Sequence, residues 1–269
     1  MTAGTLPLRG GGHLSYEVRG EGPPLLLLRP LGGSIVSWLS LVDMLEPWAK
    51  VISLDHRGTG LSSEAPLGLS TRQLAEDALA LLDHLGVSSA LVYGISLGGM
   101  VASWLAVDAP ARVRRLVLAS TLPRGLMIRS VAWQRGVQVA RCLLRSPAEA
   151  EACVATAVLT KEFRELHPEE VRRIQDAARA RPTSHRSLVV LLGAAATHDV
   201  RARLSSIRCP VLVLVGQRDP FLTLVSQRTL LREIPDTTYE VIRGAGHDVS
   251  AEAPDEVAAH LLRLLRAPA

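Results

Sequence analysis

The 269-residue sequence is poor in lysine, aromatic residues and cysteine, and each shortage excludes a class of protein. Lys50 and Lys161 are its two lysines, and the remaining cations are arginines scattered along the chain. The formal charge of +4 therefore forms no basic stripe, and aromatics at 3% leave little to stack on bases, so nucleic-acid binding is not expected. Cys142, Cys153 and Cys209 are an odd number without metal-ligand spacing and read as small packing residues rather than a disulfide framework or a zinc site. No apolar run approaches the length that spans a bilayer; Leu25 to Leu28 is strand-sized. The first residues, Met1 to Pro7, carry neither the basic nor the apolar region of a secretory leader, and the expectation is a cytoplasmic protein. Dinucleotide fingerprints, phosphate loops and metal-ligand clusters are missing too, so no cofactor and no metal are expected.

What is present is a hydrophobic content of 48% arranged in short runs. His13 to Val18 alternates like a strand, while Pro24 to Arg29, Val51 to Leu54, Ala90 to Tyr93, Val113 to Ala119 and Val211 to Val215 are mostly apolar. Continuous apolar runs of this length fit strands covered on both faces. Thr238 to Ile242 adds a further strand. Helical periodicity falls between the strands: about Ser37 to Pro47, Leu74 to Leu85 behind a Ser70-Thr71-Arg72-Gln73 capping box, Met100 to Val107, about Leu224 to Arg232, and Pro254 to Arg266. Alternation at this spacing predicts an α/β fold with a doubly wound, mostly parallel sheet. From Leu122 to Val200 strands are missing and helical segments such as Glu169 to Ala180 take over, which predicts a helical insertion over the sheet.

Gly94-Ile95-Ser96-Leu97-Gly98 sits where an apolar strand turns into a buried helix. A serine between small residues at such a turn has the form of a nucleophile elbow, which lifts the hydroxyl above the sheet on a strained backbone. A serine hydroxyl needs a base, and the base needs an orienting group. Asp219 follows the strand ending at Gly216, and His247 follows the strand ending at Ile242, so both fall on the edge where α/β sheets build their sites. Each alone also fits a turn or loop residue; together they complete the order serine, acid, histidine. His56 belongs to the loop after Leu54, and His13, His84, His167, His185, His198 and His260 read as structural or solvent-facing.

With Asp55-x-Arg57-Gly58-x-Gly60-x-Ser62, Gly216-x-x-Asp219 and Gly246-His247 ahead of Glu252-x-Pro254, the chain resembles the α/β-hydrolase superfamily, in particular its small cofactor-independent esterase, lactonase and perhydrolase branch. The resemblance covers nearly the whole length. It implies an eight-stranded sheet, a core of residues 1–121 and 201–269, and a cap or lid of residues 122–200 inserted after the sixth strand. It also implies a triad of Ser96, Asp219 and His247 and an oxyanion hole formed by the Leu31 and Leu97 amides. Family members usually carry His-Gly at the end of the third strand, where this chain has Arg29-Pro30. Two roles stay open for Arg29, pairing with a carboxylate of the protein or reaching the substrate. Haloalkane dehalogenases and epoxide hydrolases of this fold attack with aspartate, so Ser96 argues against both reactions.

Leu126, Met127, Trp133 and Phe221 are candidates for the pocket wall, with core packing as the plainer alternative for each. Between Arg124 and Arg186 the chain has twelve Arg or Lys against seven Asp or Glu, a net +5 that allows either an anionic substrate, including an acyl group on an anionic carrier, or a solvated outer face. The expected activity is hydrolysis of a small carboxylic ester, lactone or thioester through an acyl-enzyme on Ser96, with no nucleic-acid or membrane partner. A non-hydrolytic reaction in the same pocket, such as a lyase, cyclase or perhydrolase step, and a binding protein with a vestigial triad are the alternatives.

Overall fold

Leu25, Leu26, Leu27 and Leu28 are all fully buried, which a strand manages only where both faces of its sheet are covered. The computed structural model describes residues 1–38, 40–125, 141–142, 144–222 and 224–267. The strands are β1 (Thr2–Pro7), β2 (His13–Arg19), β3 (Pro24–Leu28), β4 (Lys50–Leu54), β5 (Ala90–Ile95), β6 (Val113–Ala119), β7 (Val211–Gly216) and β8 (Thr237–Ile242). They form one sheet in the order β1-β2-β4-β3-β5-β6-β7-β8. β1 and β2 pair antiparallel with each other, β2 pairs antiparallel with β4, and every later neighbour is parallel. This is the doubly wound, mostly parallel sheet that the alternation predicts, with the eight strands that the resemblance implies. β1, an exposed edge strand with a weak apolar pattern, is the strand that periodicity does not reveal.

Side chains alternate across β3, so Leu26 and Leu28 enter one core layer while Leu25 and Leu27 enter the other. The first layer packs on α2 (Thr71–His84) and α3 (Leu97–Asp108); the second packs on α1 (Ser40–Leu45) and on the C-terminal helix Pro254–Arg266. Each fully buried leucine contributes about 2 kcal/mol of apolar transfer. The capping box forms as read: Ser70 Oγ accepts from Gln73 N while Gln73 Oε1 accepts from Ser70 N.

The described part of the insertion between β6 and β7 is helical: α4 (Pro147–Ala157), α5 (Lys161–Leu166), α6 (Pro168–Ala180) and α7 (His185–Thr197). α8 (Leu224–Glu233), α9 (Val249–Glu252) and α10 (Pro254–Arg266) complete the chain. Among the described residues no helix is long and apolar enough to cross a membrane.

One expectation is corrected. Cys142 and Cys153 are not separate packing thiols; they form a disulfide, with Cα atoms 5.5 Å apart. The turn of chain at 141–142 packs back on α4, and that tertiary approach is invisible in a spacing of 11 residues. Cys209 remains a free thiol, pushed up to about 11 by burial.

Candidate active site

The turn between β5 and α3 presents Ser96 at φ 54° and ψ −116°, a backbone that side-chain-bearing residues rarely adopt. Strand and helix approach so closely that a Cβ at Gly94 would lie 2.3 Å from the Gly98 carbonyl oxygen, and one at Gly98 would lie 2.1 Å from the Leu28 carbonyl oxygen. Thr121 Oγ1 donates to the Ser96 carbonyl at 2.7 Å and steadies the turn from the end of β6.

The other two residues arrive from the ends of β7 and β8. Asp219 has a fully buried side chain, and its Oδ1 accepts from the Phe221 and Leu222 amides at 2.8 and 3.0 Å. Its Oδ2 lies 2.8 Å from His247 Nδ1, and His247 Nε2 lies 3.0 Å from Ser96 Oγ. A carboxylate only accepts, so Nδ1 carries the donated proton and Nε2 is left to accept from the serine hydroxyl. Burial pushes the His247 pKa down, but the Asp219 charge and hydrogen bond outweigh it and hold the pKa above the ordinary histidine value. The loop of His247 is fixed from two directions: its amide donates to the Val158 carbonyl at 3.2 Å, and Glu252 accepts from the Gly246 and Thr160 amides at 3.1 Å each.

Leu31 lies in the turn Pro30–Gly33, which is closed by Gly33 N donating to Pro30 O at 3.2 Å. Gly32 has φ +75° while Leu31 stays in the negative region, the signature of a type II turn. Proline thus occupies the position where the turn needs an acceptor and no donor. The Leu31 amide takes no part in the turn's own hydrogen bond, and Leu97 is the first residue of α3, before any intrahelical acceptor. Neither amide meets an acceptor among the described residues.

Arg29 is buried behind this turn. Its guanidinium stacks 4.5 Å from the centre of the Trp38 ring, and Nη2 lies 3.6 Å from Asp248 Oδ2. Of the two roles left open, the pairing with a carboxylate is present, and Arg29 also borders the cavity that holds Ser96 and His247. His56 is fully buried beside it and pushed down to about 4 by that burial. The glycine-rich loop after β4 is likewise structural: Arg57 makes two 2.7 Å bonds to Asp77, and Asp55 accepts from the Ile35 and Leu61 amides.

A cavity of about 180 Å³ opens above Ser96 and His247. Its wall is largely aliphatic, with Leu31 and Met100 from the core and Val154, Val158 and Leu188 from the insertion. Phe221 is in this wall, 5.1 Å edge-on from the His247 ring. Leu126, Met127 and Trp133 lie outside the described residues. The sequence reading missed Glu151, a carboxyl on α4 that borders the cavity at 5% exposure and is pushed up to about 7 by burial. It also missed Thr183, whose amide donates to Glu151. Both stand in helical or loop sequence with no motif around them, so only the fold reveals them.

A family model described as "alpha/beta hydrolase fold" matches residues 23–254. The chain belongs to the α/β-hydrolase family. Among curated relatives of this hydrolase, "3-oxoadipate enol-lactonase 2" of Acinetobacter baylyi is 34% identical over 90% of this chain and 88% of its own length. Among solved structures, a hydrolase from Pseudomonas aeruginosa PA01 superposes with a TM-score of 0.85 at 30% identity, covering 98% of both chains. The enol-lactonase from Burkholderia xenovorans LB400 superposes with a TM-score of 0.84 at 26% identity, over 98% of this chain and all of that one.

Proposed function

We propose that this α/β hydrolase cleaves a small carboxylic ester, lactone or thioester through an acyl-enzyme on Ser96. The observation that carries the reading is the continuous chain from Ser96 Oγ through His247 to Asp219, with contacts of 3.0 and 2.8 Å. His247 Nε2 takes the serine proton as Oγ attacks the carbonyl carbon, and Asp219 holds the imidazole tautomer and stabilises the cation that forms. The oxyanion takes hydrogen bonds from the Leu31 and Leu97 amides; each such donor is worth on the order of 3 kcal/mol in the transition state. The protonated imidazole then gives its proton to the leaving oxygen or sulfur. Water, activated by the same nitrogen, releases the acid.

The domain roles follow: residues 1–121 and 201–269 form the catalytic core, and residues 122–200 form the lid that shapes the pocket. Among the described lid cations, Arg172, Arg173 and Arg179 pair with Glu169, Glu170 and Glu149 on exposed faces, and the lid residues that line the cavity supply aliphatic carbon and Glu151. An uncharged acyl group or lactone ring suits that wall. The names of the enol-lactonase relatives support the lactone side of the reading.

The test is intact-mass labelling with a small fluorophosphonate. One adduct on the wild type and none on Ser96→Ala is expected; an unlabelled, folded wild type removes acyl transfer from consideration.

A further inference from the structure

The insertion hydrogen-bonds the turn that carries Leu31 through the Thr183 side chain. Thr183, in the connection between α6 and α7, is buried at 1% exposure, and its Oγ1 donates to the Gly32 carbonyl at 3.2 Å. Its own amide donates to Glu151 Oε2 at 2.6 Å. Glu151 in turn lies against the turn: a Cβ at Gly32 would sit 3.8 Å from the Glu151 carboxyl carbon and 3.4 Å from Leu188. From the opposite side, core residue Asp55 accepts from Ile35 N at 2.7 Å and pins the exit of the same segment. The turn's own backbone bond at 3.2 Å and two glycines give it little stiffness of its own.

We propose that Thr183, anchored by Glu151, is a positioning residue that sets the Leu31 amide of the oxyanion hole from the lid. The inference rests on the acyl-transfer reading above. The Leu31 amide and the Gly32 carbonyl flank the two central residues of one type II turn, so a shift of the carbonyl rotates the amide with it. Thr183 touches no reacting atom. Its effect passes through the turn, and it belongs to the lid, so its hydroxyl couples lid packing to oxyanion geometry.

Fluorophosphonate labelling of Ser96 tests this without knowledge of the natural substrate, because phosphonylation develops negative charge in the same hole. The limiting labelling rate and the half-saturating concentration are measured separately for wild type, Thr183→Val and Thr183→Ser. Thr183→Val keeps the volume and loses the donor; its limiting rate is expected to fall about 10- to 100-fold, the scale of an ångström-level misplacement. Half-saturation is expected to change less than threefold and Thr183→Ser to label within about twofold of wild type, because each retains what the role requires. Thr183→Ala provides the same donor deletion if the valine variant does not fold, with circular dichroism as the check. A limiting rate unchanged in folded donor-less variants, or an equal loss in Thr183→Ser, overturns the positioning role. No Ser96 adduct on wild type overturns the acyl-transfer reading instead, and the oxyanion role falls with it.

Discussion

Ser96 Oγ and His247 Nε2 lie 3.0 Å apart although 151 residues separate them, and the contact exists because two parallel strands end on the same edge of the sheet. The proposed acyl transfer depends on an unprotonated Nε2. The Asp219 charge overcomes the burial penalty and raises the His247 pKa, so activity is expected to fall as pH drops through a value above that of an ordinary histidine. In Asp219→Asn the opposing charge is gone while burial remains, so the acid limb moves to lower pH and the limiting rate drops by about 10⁴-fold. A pH profile of fluorophosphonate labelling reads both effects; an acid limb unmoved by Asp219→Asn contradicts the coupling.

The framework of this site was legible because it rests on local signals. Apolar runs marked β3 to β7, and the small residues at Gly94 and Gly98 marked a turn where backbone meets backbone. Strand ends placed Asp219 and His247 on the sheet edge where they meet Ser96. Pro30, read as a departure from the family pattern, turns out to supply a turn acceptor, a position where its missing N–H costs nothing. Glu151, Thr183 and the Cys142–Cys153 disulfide were not legible, since they depend on how the helical insertion folds on itself and, for Thr183, against the core. β1 was missed for the opposite reason: an exposed edge strand has no buried face to impose alternation.

Arg29 and Asp248 form a nearly buried ion pair, with side-chain exposures of 6% and 11%. Burial lowers the arginine pKa, and Asp248 is the main group opposing it. Arg29→Met leaves Asp248 uncompensated, and a loss of about 3 kcal/mol in unfolding free energy is expected from denaturant titration. Asp248→Asn keeps the acceptor that caps α9 through Ala251 N, so the double variant is expected to recover most of that loss. Equal denaturant midpoints for wild type and Arg29→Met would mean that neither the ion pair nor the guanidinium stack on Trp38 holds this corner.

The disulfide makes a direct chemical prediction. Denatured without reductant, the protein exposes a single reactive thiol, that of Cys209; after reduction it exposes three. Alkylation followed by mass measurement counts them. Three reactive thiols in unreduced, air-equilibrated protein would refute the pairing.

Glu151 links stability to pH in a direction opposite to that of a salt-bridged carboxylate. Burial, opposed by the Thr183 hydrogen bonds and by Arg29, lifts its pKa from the ordinary 4.5 to about 7. Between those values the folded protein binds a proton that the unfolded chain has released, so stability is full below about 4.5 and falls as pH rises towards 7. A shift of this size corresponds to a cost on the order of 3 kcal/mol above neutrality. Glu151→Gln keeps an acceptor for the Thr183 amide and removes the ionisation. The variant is therefore expected to match wild type near pH 4.5 and to unfold at a higher temperature above pH 7, with a flatter pH dependence between. Thermal melts at a series of pH values decide it. Parallel curves for the two proteins would show that Glu151 ionises in the folded state as freely as in water, and that the lid holds its carboxyl closer to solvent than its burial implies.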